Sequence, residues 1–143
     1  MLPRFYRLDE YLELPREPQP WVIEFLVPVG GMVNVFGKPK TGKSFIVLDW
    51  AKAVASGMKT WFGYRIQKPG PVAYLQIDTP REEWARRMEE VKRQAQQDEI
   101  PLWIADMWLV PQFPVNVLDV DDPTIEWLRS ELERLQPVMV VID

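Results

Sequence analysis

The chain has 143 residues, a net charge of −4, 47% hydrophobic and 27% charged residues, the size and balance of one globular domain with its own core. It has no cysteine and no histidine, which excludes disulfides, Cys- or His-built metal sites and imidazole acid–base chemistry, and makes the cytoplasm the default location. The acidic total argues against a broad basic nucleic-acid surface in this stretch, no apolar run reaches the roughly 18 residues of a membrane span, and the N-terminus lacks a signal-peptide pattern.

Residues 1–20 are polar with scattered apolar positions and end in PREPQP, which reads as a short docking segment followed by a stiff linker. Trp21 to Gly31 (WVIEFLVPVGG) is apolar and closes with a turn, delivering the chain into a first predicted strand, Met32–Phe36 (MVNVF). Residues 37–44, GKPKTGKS, then match the phosphate-binding pattern G-x-x-x-x-G-K-[ST] in full. A helix is predicted directly after it over Ser44–Ser56, apolar nearly all round and stopped at Ser56-Gly57, so the motif sits in the strand–loop–helix context it requires.

The residue types explain the chemistry. Gly37 and Gly42 allow backbone angles that a side chain disfavours, so successive N–H groups turn toward one anion, helped by the positive end of the helix. Lys43 is placed to reach the β- and γ-phosphates, and the Ser44 hydroxyl to hold Mg²⁺. Pro39 stiffens the loop without removing a required donor. Thr41 completes the loop. Lys38 and Lys40 have two readings, further phosphate contacts or solvated surface lysines.

Trp61–Pro71 is a turn-rich connection with room for a small hairpin. Val72–Asp78 (VAYLQID) reads as a second strand, apolar enough for burial on both faces. The next helix, Thr79–Gln97, opens with Thr79 as cap, Pro80 at its first position and Glu82 completing a capping box. Trp84, Met88, Val91 and Ala95 form its apolar stripe, while the charges from Arg81 to Arg93 form a solvated face of i,i+4 pairs. Met107–Pro111 (MWLVP) is a predicted third strand. Asp122–Leu135 is a helix with Ile125, Leu128, Leu132 and Leu135 inward, and Val138–Asp143 (VMVVID) a fourth buried strand.

Alternating strands and helices argue a three-layer α/β fold, a mostly parallel sheet with helices on both faces, whose ligands sit beyond the carboxyl ends of the strands. The P-loop, Asp78 and Asp143 all fall at such ends. VMVVID has the form of a strand whose terminal Asp holds Mg²⁺ opposite the P-loop serine. Asp78 has two readings: a carboxylate that orients the attacking water, or a cap of the helix that follows. Trp21, Trp61 and Phe62 likewise either stack on a base or pack under the sheet edge.

Taken together, WVIEFLVPVGG, GKPKTGKSFIVLDWAKAVASG, WFGYRI…PGPVAYLQID and VMVVID resemble the RecA-like P-loop ATPases, in particular the RepA-type replicative helicases and the AAA-family ATPases grouped with them. The resemblance covers residues 21–143. It implies ATP as cofactor with Mg²⁺, a homo-oligomer in the form of a hexameric ring with ATP between subunits, and movement on single-stranded DNA. By this resemblance Lys43 and Ser44 correspond to the Walker A lysine and serine, and Asp143 to the Walker B aspartate. Asp78 stands where the family generally has a catalytic Glu, and its side chain is shorter by roughly 1.5 Å, a displacement that can cost about 100-fold in rate.

The family core also continues past its Walker B strand, with DNA-contacting loops and an arginine finger. The expectation is therefore that these 143 residues are the N-terminal part of a longer ATPase, with DNA bound beyond residue 143, and that by themselves they bind Mg-ATP without turnover. Two other functional classes compete with a DNA motor. One is a regulatory nucleotide switch that controls assembly with partners, and the other is a small-molecule or nucleotide kinase, against which stands the lack of an Arg-rich lid after the second helix.

Overall fold

The computed structural model describes residues 4–107 and 123–143. Its centre is a three-stranded parallel sheet of β5 (Val72–Gln76), β6 (Leu102–Asp106) and β7 (Met139–Ile142), in the order β6-β5-β7. The central strand β5 is buried at every position, as its mainly apolar sequence predicts. Its pairing with β7 continues past the strand ends, with Val138 N–H donating to the Pro71 carbonyl at 2.8 Å and Asp143 N–H to the Leu75 carbonyl at 3.0 Å. Asp143 is thereby fixed by its backbone at the carboxyl end of the sheet.

Helix α2 (Lys43–Ala55) packs on one face, burying Leu48, Ala51, Ala53, Val54 and Ala55 in one core with Val72, Tyr74, Met139 and Val141. It ends as the Ser56-Gly57 pair predicts. Gly57 takes φ 71°, and Met58 N–H reaches back to the Ala53 carbonyl at 3.1 Å while Gly57 N–H meets that of Val54, a Schellman closure. Helix α3 (Arg81–Ala95) adds Trp84 and Val91 to the same core, with Met88 packed beside them, as its stripe requires. On the opposite face α4 (Pro123–Leu135) approaches Trp103, whose ring carries the Arg134 guanidinium at 5.7 Å. The three-layer α/β architecture is the expected one. A short helix α1 (Leu8–Leu12) buries no residue, and two hairpins, β1 (Trp21–Ile23) with β2 (Val27–Pro28) and β3 (Thr60–Trp61) with β4 (Tyr64–Arg65), flank the core.

Several expectations need correction. Residues 32–36 are not a strand; an extended apolar run becomes one only beside a partner ladder, and no described strand pairs with it, so Met32 and Phe36 stay exposed. Leu102–Asp106 (LWIAD), not predicted as a strand, pairs in register with Val72–Gln76; of the predicted strand Met107–Pro111, residues 108–111 lie outside the described residues. Strand β7 alternates, with Met139 and Val141 buried and Val140 and Ile142 exposed, since it is an edge strand packed tightly on the α2 face and only loosely covered by α4 on the other. For the same reason the inward positions of α4 are only half-buried. Helix α2 is not enclosed all round either, for Phe45 and Ile46 face solvent.

Candidate functional site

The P-loop curls because two of its residues adopt left-handed backbone. Lys40 has φ 63° and Gly42 φ 87°, with residues of negative φ on either side; such alternation gathers successive N–H groups into one concavity. Gly42 is the N-cap of α2 and its carbonyl accepts the first helical bond, from Ile46 N–H at 3.0 Å. Gly37 is a correction. It keeps a negative φ, and a Cβ there would only meet Thr41 Oγ1 at an ordinary 3.5 Å, so the left-handed demand falls on Lys40 and Gly42 instead.

Two side chains brace the loop from within. Thr41 Oγ1 donates to the Lys38 carbonyl at 2.8 Å, and the Lys43 ammonium donates to the carbonyls of Gly37 and Lys38 at 2.9 and 2.7 Å. That places the Lys43 cation across the mouth of the loop, with one of its three donors still available. Lys38, Pro39 and Lys40 are exposed at the loop tip.

Across the sheet, chain segments 99 residues apart meet: Ser44 Oγ donates to Asp143 Oδ1 at 2.9 Å. The other carboxylate oxygen, Oδ2, accepts a 2.7 Å hydrogen bond from the Tyr74 hydroxyl. Burial, together with the Asp143 carboxylate beside it, pushes the Tyr74 phenol well above its usual range, so it stays a protonated donor. A serine hydroxyl and a carboxylate at the N-terminus of a helix are hard oxygen donors, and they suit Mg²⁺. Among the described residues no three Asp or Glu cluster into a cage; a cation at Ser44 and Asp143 would complete its shell with phosphate and water, as Mg²⁺ commonly does.

Asp78 lies exposed in the bend after β5, at the same end of the sheet and close enough to act electrostatically on Tyr74. The bend is held by Gln76. Its Oε1 accepts the Thr79 N–H at 2.7 Å, and its Nε2 donates to the Thr79 carbonyl at 2.6 Å and to Asp106 Oδ1 at 3.1 Å. The expected capping box is therefore absent: α3 starts at Arg81 with Pro80 at the cap and no side-chain cap bond. Asp78 does not cap the helix either.

Of the aromatic candidates, Trp61 packs edge-on against Trp50 at 5.7 Å and donates to Asp49 at 2.7 Å. Trp21 is half-buried near Phe25, and Phe62 is exposed at a turn with φ 46°. The charged face of α3 carries the ion pairs Arg87–Glu83 and Arg93–Glu90. Sequence reasoning missed Tyr74 and Gln76. The one available signal was that both are polar in a strand otherwise built to be buried.

A family model described as "AAA domain" matches residues 3–143. No curated protein and no solved structure matches the chain. No helix among the described residues is long and apolar enough to cross a membrane.

Proposed function

We propose, from the premise that the chain belongs to the AAA-domain family of P-loop nucleotide-binding ATPases, that it binds ATP with Mg²⁺ and couples hydrolysis to DNA, as a replication helicase or related motor. The observation that carries the site is the 2.9 Å bond between Ser44 and Asp143. It joins the phosphate loop to the carboxyl end of the neighbouring strands, where ligands of parallel sheets bind.

In this reading the backbone N–H groups from Lys40 to Ser44 and the end of α2 cradle the phosphates. Lys43 exchanges its loop carbonyls for phosphate oxygens, a stronger, charge-assisted partner. Ser44 and Asp143 are the side chains that would hold Mg²⁺, which when bound would supply positive charge beside the phosphates. Asp78 orients the attacking water. As an exposed Asp it reaches less far than a Glu, which favours slow intrinsic turnover. Assembly into a homo-oligomeric ring and contact with single-stranded DNA belong to the same proposal and rest on the family resemblance.

The test is ATP hydrolysis by the full-length natural protein with and without single-stranded DNA, with Lys43→Ala as control. Turnover that rises several-fold with DNA and is lost in the variant supports the motor. Lys43-dependent turnover indifferent to DNA would replace it with a regulatory switch, and equal binding of ATP by Lys43→Ala and the native chain would refute the site itself.

A further inference from the structure

We infer that Tyr74 is a positioning residue for the cation site, setting the side-chain orientation of Asp143 so that Oδ1 faces Ser44; the inference rests on the Mg-nucleotide reading above. The Asp143 carboxylate is gripped from two elements other than its own strand. Ser44 on α2 bonds Oδ1 at 2.9 Å, and Tyr74 in mid-β5 bonds Oδ2 at 2.7 Å.

Tyr74 is the largest fully enclosed side chain described, with 0% exposure. Its ring lies 5.0 Å from that of Trp84, and its backbone sits between Ile104 of β6 and Val141 of β7. A phenol so enclosed has no freedom to follow the carboxylate; the carboxylate must follow the phenol. Packing alone would be served by phenylalanine, since a buried hydroxyl is costly unless it has a partner. The hydroxyl's bond to the Asp143 carboxylate is what the ring's enclosure makes precise. Groups that orient metal ligands in this way typically change metal affinity 10–100-fold when removed.

The experiment measures binding of a fluorescent ATP analogue in EDTA and across a Mg²⁺ titration, for the native chain, Tyr74→Phe, Asp143→Asn and the double variant. The quantity read is the ratio of affinity with Mg²⁺ to affinity in EDTA. Tyr74→Phe keeps the ring against Trp84 and is expected to lower that ratio about tenfold at limiting Mg²⁺, with recovery at high Mg²⁺. In the double variant it should add little to the loss from Asp143→Asn, because Tyr74 acts through that carboxylate.

An unchanged ratio, or additive losses, would overturn the inference. So would a Tyr74→Phe chain that is unfolded or that no Mg²⁺ concentration restores, which would make Tyr74 a core residue only. A native chain that binds nucleotide equally with and without Mg²⁺ would instead defeat the Mg-nucleotide reading on which the inference stands.

Discussion

Replacing Gln76 by leucine tests whether the bend that presents Asp78 is held by one buried amide. Gln76 is 1% exposed and Thr79 9%, and the amide satisfies both the N–H and the carbonyl of Thr79, at 2.7 and 2.6 Å. Leucine has a similar volume, so little cavity forms, but both backbone groups lose their partner. At about 1–3 kcal/mol for each buried polar group left unsatisfied, partly relieved where water reaches Thr79, the expected loss is about 3 kcal/mol. With a urea dependence of about 2 kcal/mol per molar for a chain of this size, the unfolding midpoint should fall by about 1.5 M. The control is Gln94→Leu, which removes bonds to Lys52 and Glu90 on the exposed face of α3 and should change stability by less than about 0.5 kcal/mol. Urea unfolding followed by tryptophan fluorescence and by circular dichroism measures both. A Gln76→Leu midpoint no lower than that of Gln94→Leu would refute the reasoning.

Gly42→Ala should cost about 1–2 kcal/mol and weaken ATP binding, because φ 87° strains any L side chain although no atom stands within 4 Å of the added Cβ. Gly37→Ala should cost less than about 0.5 kcal/mol by the same urea assay, since its φ is negative. Asp49 supplies a pH prediction: burial pushes its carboxyl up, but bonds from Lys52 and Trp61 outweigh this and hold it below its ordinary value. The folded state therefore binds that proton less readily than the unfolded chain, so the contribution is present above about pH 4 and is lost as pH falls through the folded value. Asp49→Asn should be less stable than the native chain by about 0.5 kcal/mol near pH 6, and the gap should close below pH 4 in thermal unfolding at each pH.

Much of this protein can be read from local chemistry. The P-loop, the stop at Ser56-Gly57, the stripe of Trp84, Met88 and Val91, and the enclosed strand Val72–Gln76 depend on near neighbours, and on backbone preferences that residue identity sets directly. The aspartate ending VMVVID could be picked out for the same reason, as a carboxylate after an apolar run. Tertiary structure decided everything that depends on which strand lies beside which. MVNVF has the composition of a strand, yet residues 32–36 pair with nothing described, while LWIAD, which composition did not single out, lies beside β5, because ladder bonds reward register and not composition. Thr79 looked like a cap until Gln76 claimed its backbone. The grip on Asp143, from Ser44 99 residues away and Tyr74 69 residues away, has no local signature, since contacts at such separations exist only once the sheet has brought the segments together.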